Sequence, residues 1–328
     1  MYRPYLRHFG LALVASACAL VGARSAGAAT ITVDPTGTID AALEHARPGD
    51  TILVETGTYA DLVEASPRGK ADAPITLKPA PGAHPVVSAG FKLIHARHVR
   101  VTGMTFDGTG NPAGFGTSIW DGHDITFARN EITGYGRWAQ GVLVKKKSRR
   151  VRIVGNHIHD VGARNRLDHG IYCQSATGTV IERNTINDIA AGYGIQVFGD
   201  CDDTRIVGNT IAGNGMSGIT IGGNDDRGTA DGTLIARNII ADHTTAAWSE
   251  YGFAVTEYRA GRGNVVRNNV FWHNKARRNV DCDVCAIRDN IVRDPQFVDA
   301  SRGDYSLAKG SPAWAVVTRR HAGHRKHR

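Results

Sequence analysis

Ile181-Glu-Arg-Asn184-Thr-Ile186 is one copy of a phrase that runs through the middle of the chain. An apolar residue is followed three positions later by Asn, and two positions after that by a second apolar residue. The other copies are Phe127…Asn130…Ile132, Ile153…Asn156…Ile158, Ile206…Asn209…Ile211, Ile235…Asn238…Ile240 and Val265…Asn268…Val270. Arg or Gly precedes each Asn, Val101…Met104…Phe106 is an upstream copy without the amide, and Asp289…Ile291 is a degraded downstream copy. The Asn-to-Asn steps are 26, 28, 25, 29 and 30 residues. A period in the twenties marks a solenoid, in which each coil buries its apolar face only against its neighbours.

The local pattern selects the solenoid. The apolar residues alternate as a strand requires, a second short strand follows each Asn, as in Thr185-Ile186-Asn187, and a third opens on Gly. The Gly-led segments are Gly141-Val-Leu-Val144, Gly170-Ile-Tyr-Cys173, Gly194-Ile-Gln-Val197, Gly218-Ile-Thr-Ile221 and Gly252-Phe-Ala-Val255. Three short strands per coil of about two dozen residues predict an all-β fold, a single-stranded parallel β-helix; the Leu-rich and 3.6-residue patterns of other solenoids are absent. Roughly ten coils at ~4.8 Å give a rod of about 50 Å. The repeated Asn side chains are expected to hydrogen-bond from coil to coil as an amide ladder, which makes them scaffold.

Residues 1–28 read as a secretory signal: Arg3 and Arg7, an apolar run from Leu11 to Val21 too short to span a bilayer, then Ala26-Gly27-Ala28. Residues 29–318 read as one β-helix domain and 319–328 as a disordered basic tail. The formal net charge of +8 lies in these ends: three arginines and no acid in the first segment, five cations and no acid in the last. The body is then neutral, so a nucleic-acid partner is not expected despite a pI of 9.4. Ile39-Asp-Ala-Ala-Leu43-Glu-His-Ala46 predicts a short amphipathic helix covering the open N-terminal end of the solenoid. Of five cysteines, Cys18 leaves with the signal, Cys173 faces inward as a buried thiol, Cys201 lies in a turn, and Cys282-Asp-Val-Cys285 suits a structural disulfide.

Gly49-Asp-Thr-Ile-Leu-Val-Glu-Thr-Gly-Thr-Tyr59, Pro74-Ile-Thr-Leu-Lys-Pro79, Asp294-Pro-Gln-Phe-Val-Asp299, Gly303-Asp-Tyr-Ser-Leu307 and Gly310-Ser-Pro312 carry a family resemblance over nearly the whole mature chain. They resemble the opening and close of exported right-handed parallel β-helix proteins that include polysaccharide lyases, the chondroitinase B and alginate lyase group. The resemblance implies a right-handed, secreted or periplasmic protein with its substrate on an exposed sheet walled by loops.

Inward side chains of a solenoid are committed to packing, so chemistry must use outward residues and turns. Alternation from an inward Ile171 turns Tyr172, Gln174, Lys145, Gln196, Phe198, Thr220 and Thr256 outward on the Gly-led strands. Adjacent turns add Arg164, Arg166, Asp168, His169, Tyr193, Asn224, Tyr258 and Arg259. This set suits β-elimination of an acidic polysaccharide: Lys145, Arg164 and Arg166 neutralise a uronate carboxylate, His169 oriented by Asp168 removes the adjacent proton, and Tyr172 protonates the leaving oxygen. The opposing interpretation is that Asp168-His169 pins a turn. Gln174, Tyr193, Gln196, Phe198, Thr220, Asn224, Tyr258 and Arg259 are the expected substrate-binding residues. In the lyases that the chain resembles, Ca²⁺ neutralises the carboxylate and Lys and Arg move the protons; Asp225, Asp226, Glu250 and Glu257, with Asn224, are the oxygen donors available for such an ion.

A uronate epimerase shares the proton abstraction and stays open. So does an inverting hydrolase with Asp200 or Asp202 facing Asp225 or Asp226. A non-catalytic rod, a polysaccharide-binding or surface adhesion module with sugars stacked on Trp120, Tyr172, Tyr193, Phe198 and Tyr258, is the third alternative. The expected partner is an acidic polysaccharide, with no membrane span and a monomeric state.

Overall fold

The computed structural model describes residues 27–110, 116–136, 139–163, 167–243 and 252–317. The expected signal (1–28) and basic tail (319–328) thus lie almost wholly outside the described residues. Three parallel sheets run along the rod. The first orders eleven strands from Thr30–Val33 to Ala286–Arg288, and the second orders ten from Gly57–Tyr59 to Ile291–Val292. The Gly-led sheet orders nine, from Val63–Ala65 to Val280–Asp281. The parallel β-helix expected from the repeat is present, with about the expected number of coils.

Stacked, identical positions build the core. Ile153, Ile181, Ile206 and Ile235 stand in register in the first sheet, and Ile158, Ile186, Ile211 and Ile240 in the second. All eight are buried. Phe91, Phe106 and Phe127 fill the core of the early coils, with neighbouring ring centres 5.1 and 5.3 Å apart. The helix Ile39–His45 buries Ile39 and Leu43 and covers the N-terminal end, as its pattern predicts. At the other end the antiparallel pair Phe297–Asp299 and Asp304–Leu307 and the helix Trp314–Val317 fold back, packing Phe297, Leu307 and Ala313 on Ile239, Ala241 and Val270 of the second sheet.

The amide ladder forms where the repeat places it. Each Asn donates its Nδ2 to the Oδ1 of the next: Asn130 to Asn156 at 3.0 Å, Asn156 to Asn184 at 2.9 Å, Asn184 to Asn209 at 3.0 Å and Asn209 to Asn238 at 2.9 Å. Each Oδ1 also accepts the backbone N–H of the preceding ladder residue, so the turn's buried donors are satisfied. The sequence register slips by one residue at the end. Asn269, not Asn268, continues the ladder to Asn290, because Val266 rather than Val265 pairs with Ile235. Asn268 instead occupies the position before the ladder residue, where φ is positive at every coil: Arg129 at 53°, Gly155 at 65°, Arg183 at 55°, Gly208 at 67°, Arg237 at 57° and Asn268 at 55°. Gly and Asn enter this left-handed region readily, whereas Arg is held there by the flanking ladder.

The glycines that lead the third strands also have a steric reason. A Cβ on Gly170 would stand 2.6 Å from the carbonyl oxygen of Gly194, and one on Gly194 would stand 2.8 Å from that of Gly218. The column ends at Ala254, which takes the place expected for Gly252, since Val255 pairs with Ile219. Cys173 is not a free thiol: it forms a disulfide with Cys201 of the next coil, with Cα atoms 6.1 Å apart. Both are fully buried, so the bridge staples neighbouring coils from within. Cys282 and Cys285 pair as expected.

Candidate functional site

The parallel register of the Gly-led sheet brings outward side chains into columns. Lys92, Ser118, Leu143, Tyr172, Gln196, Thr220 and Thr256 form one. Beside it, Trp120 is level with Lys145, and Gln174 is level with Phe198. Lys145, Tyr172, Gln174, Gln196 and Phe198 are partly exposed, while Thr220 and Thr256 are buried.

Trp120 is the floor of a cationic cluster. The ammonium groups of Lys145, Lys146 and Lys92 lie 4.0, 4.3 and 4.4 Å from its ring centre. Lys92 also pairs with Glu64 at 2.6 Å. The ring's π-face attracts each ammonium, but the ammonium groups repel one another. Lys146 and Lys147 both have positive φ, 58° and 63°, so the segment presenting the cluster is strained as well as charged. Burial first, then the charges of Lys146, Lys92 and Arg227, push the Lys145 ammonium below the usual lysine range. Arg227 comes from the turn after Ile219–Gly222, whose Asn224 Oδ1 accepts the Arg227 N–H at 2.9 Å. Its guanidinium lies against Tyr172, whose hydroxyl is raised by burial and partly restored by that positive charge. Lys145, Tyr172 and Arg227 therefore share one electrostatic neighbourhood. The array combines a lysine eased toward its neutral form, a protonated phenol and three further cations. It can bind an anion, accept a proton and donate another.

His169 and Asp168 are not part of the accessible array. His169 is buried, its Nδ1 accepts the Tyr193 N–H at 3.2 Å, and its ring packs 5.5 Å from both Tyr172 and Tyr193. Burial lowers its pKa to about 3. Buried, and with Nδ1 taken by the Tyr193 N–H, the neutral imidazole packs against Tyr172 rather than standing on the accessible surface where the expected base would have to act. Asp168 is also buried, and its Oδ2 accepts the Ala163 N–H at 3.2 Å, so it pins the turn. His243 repeats this device, accepting the Asn214 N–H at 3.1 Å with its pKa likewise lowered to about 3. A consequence is sensitivity to acid. The unfolded state takes up protons on these histidines near pH 6.5 and the folded state only near pH 3. Stability is fully present above about 6.5 and declines as pH falls through that window, by at most about 1.4 kcal/mol per pH unit for each histidine. Urea midpoints measured from pH 7 to pH 4 are expected to fall, and the double variant His169→Gln, His243→Gln is expected to flatten that slope; an unchanged slope would reassign the acid sensitivity to other groups.

Among the described residues, the oxygen donors expected for calcium are not gathered at one point. Asp225 pairs with Arg259 at 3.2 Å, and a Glu257 carboxylate oxygen accepts the Ala260 N–H at 2.9 Å. Asp226 is exposed, and Glu250 lies outside the described residues, as do Arg164 and Arg166. Among the described residues these acids form no cluster of metal-binding dimensions. Tyr258 is 61 % exposed and, with Arg259 and the half-buried Asn224, lies at or just beyond the C-terminal ends of the strands Ile219–Gly222 and Val255–Tyr258. Asp202, a candidate for hydrolysis, has its Oδ1 accepting the Asp231 N–H at 3.0 Å. Lys92 and Arg227 received no role from the sequence. Gly90-Phe91-Lys92-Leu93 is a further Gly-led strand whose alternation turns Lys92 outward, so that signal was present.

A family model described as "Right handed beta helix region" matches residues 84–232 and 169–305. The uncharacterized protein YwoF of Bacillus subtilis (strain 168) is 25 % identical over 322 residues, covering 87 % of this chain; the chain spans 64 % of that relative's length. Among solved structures, the alginate lyase from Paenibacillus sp. str. FPU-7 aligns with a TM-score of 0.66 at 20 % identity, over 80 % of this chain and 94 % of that one. Pectate lyase Pel9A aligns with a TM-score of 0.56 at 15 % identity, over 87 % and 90 %. Pectate lyase Bsp165PelA from Bacillus sp. N165 aligns with a TM-score of 0.52 at 13 % identity, over 86 % and 94 %. At these identities the structural likeness establishes the fold.

Proposed function

The chain belongs to the right-handed β-helix family, and from that premise we propose that it is a polysaccharide lyase cleaving a uronate-containing polymer by β-elimination on its Gly-led sheet. The observation that carries the reading is the gathering of Lys145, Tyr172 and Arg227 beside Lys92, Lys146 and Trp120. An anionic ligand relieves the repulsion within that cluster. The alginate and pectate lyases of similar fold, which cleave uronate polymers as their names state, support the reading.

Arg227, with Lys92 and Lys146, binds the uronate carboxylate and stabilises the enediolate that forms when the neighbouring C5–H bond breaks. Lys145, as the neutral amine, takes that proton. The electron pair forms the C4–C5 double bond and expels the glycosidic oxygen, which accepts the Tyr172 proton. A net proton transfer from Lys145 to Tyr172 resets the site. His169 packs against Tyr172 and holds it in place while Asp168 pins the turn before it, and no step needs calcium. Gln174, Gln196 and Phe198 extend the substrate platform along the sheet.

The protein acts outside the cytoplasm, where such polymers lie, after removal of residues 1–28, and works as a monomer. Among the described residues no helix is long and apolar enough to cross a membrane. The test is incubation with alginate, pectate, glucuronan and glycosaminoglycans while following ultraviolet absorbance of the unsaturated uronate. Absorbance growth with at least one polymer supports the lyase. Retention on a polymer without absorbance change would replace it with a binding module.

A further inference from the structure

A second constellation lies on a different face of the rod. His157 and His159 are two apart on the strand His157–His159, so both imidazoles leave its outer side while Ile158 between them is buried. Parallel register sets His157 beside Glu131 of the preceding coil. The two rings stack with centres 4.1 Å apart. One ligand atom from each of Glu131, His157 and His159 lies within 4.8 Å of the others.

The surrounding hydrogen bonds fix which nitrogens are free. His159 Nδ1 is 2.7 Å from the Asp160 carboxylate, which only accepts. That contact holds a proton on Nδ1, so it is Nε2 that carries the lone pair whenever the ring is neutral. That Nε2 is shielded from solvent, has no hydrogen-bond partner among the described residues, and stands 3.5 Å from a Glu131 oxygen. On the other ring, His157 Nε2 is 3.0 Å from Asn187 Oδ1. The orientation of that amide is set because its Nδ2 donates to Asp188 at 2.7 Å. His157 thus carries its proton on Nε2 and keeps a lone pair on Nδ1. Metal-ligating histidines characteristically have the remote nitrogen held by an acceptor in this way. One pair already stands at ligand spacing: His159 Nε2 and the Glu131 oxygen are 3.5 Å apart, and two ligands about 2.1 Å from a tetrahedral ion are roughly 3.4 Å apart.

We propose that Glu131, His157 and His159 form a binding site for a divalent d-block cation of the Zn²⁺ type. Asp160 and Asn187 act as positioning residues. Two imidazoles and one carboxylate select a borderline ion over Ca²⁺ or Mg²⁺, which prefer oxygen. Three protein ligands leave a fourth position for water or an incoming group. His157 also lines a cleft of about 510 Å³ between the second sheet and the C-terminal hairpin, with Asp304 and Tyr305 on the hairpin side. Because Glu131 and the histidines belong to successive coils, the ion would also tie two coils together. The proposal is independent of the lyase reading.

The chain ends with His321, His324 and His327, so bound metal must be located as well as counted. The full-length protein, stripped with EDTA and dialysed, is titrated with ZnCl₂ calorimetrically and with CoCl₂ by visible absorption. Three variants are compared with it: His157→Ala with His159→Ala, the single change Glu131→Gln, and the triple change of His321, His324 and His327 to Ala. Expected are one saturable equivalent and a tetrahedral Co²⁺ spectrum in the parent and the triple tail variant. The strand variant should lose the site, and Glu131→Gln should weaken it by about 10–100-fold. Circular dichroism checks that each variant is folded; Glu131→Gln, at an exposed position, keeps the test decisive if the double change is not tolerated. Absence of saturable uptake, uptake abolished only by the tail changes, or uptake indifferent to both the double strand change and Glu131→Gln would each overturn the proposal.

Discussion

Lys145→Ala is expected to lower turnover on the uronate polymer by about 10²–10⁴-fold, the usual loss on removing a positioned proton acceptor. Lys145→Arg is expected to do no better. Arginine preserves the positive charge beside Trp120 and Arg227 but stays protonated at any working pH. The pair of variants separates two roles that a single alanine change confuses. If Lys145 only neutralised the substrate carboxylate, arginine would restore most of the activity, and the base would have to be sought elsewhere. The pH profile gives a second readout. Lys145 must be neutral, so kcat/KM rises with pH through a value below the usual lysine range. Tyr172 must be protonated, and burial raises its ionisation, so the falling limb lies at high pH. An alkaline optimum follows. A profile that instead peaks near the ordinary histidine value would contradict the assignment.

Asn184→Ala is expected to cost about 3–5 kcal/mol of stability, far more than a polar-to-alanine change at the surface. Asn184 sits in the middle of the ladder and is buried. Its Oδ1 accepts both the backbone N–H and the Nδ2 of Asn156 at 2.9 Å, and its Nδ2 donates to Ile153 O at 2.9 Å and Asn209 Oδ1 at 3.0 Å. Alanine strands the Asn156 N–H and the Ile153 carbonyl in a turn that excludes water. Asn290→Ala, at the partly exposed end of the ladder, should cost clearly less. Urea unfolding of the two variants is the measurement. Equal and small losses would mean that the ladder is ornamental and that apolar stacking alone sets the coil spacing.

The scaffold was legible because its causes repeat. The middle coils place an amide at the same turn and a glycine under the same carbonyl, so the period announces both. The register failed where the repeat became ambiguous. Val265 and Val266 are both apolar and Asn268 and Asn269 are both amides, so alternation fits either choice; the positive φ required before the ladder residue decides for Asn269. Lys145 and Tyr172 were placed correctly on the outer side because both lie inside a strand, where alternation holds. His169 lies before its strand, and Tyr193 of the next coil helps enclose it, a fact that alternation does not carry. Arg227 reaches Tyr172 from a turn two coils later, and Cys201 turns inward from another. Such contacts depend on how turns bend in space, which a one-dimensional repeat leaves unspecified. Sequence alone assigns the His157-Ile-His159 pair no meaning, because that depends on Glu131, Asp160 and Asn187, two of which come from neighbouring coils.

The most direct test is product stoichiometry on the polymer that the protein cleaves, read by nuclear magnetic resonance. Each new reducing end should be matched by one C4–C5 double bond in the uronate at the other new end, with both signals lost together in Lys145→Ala. New reducing ends without double bonds would instead mean hydrolysis, and inverted uronates without any new ends would mean epimerisation; either result would contradict β-elimination at the Lys145–Tyr172–Arg227 site.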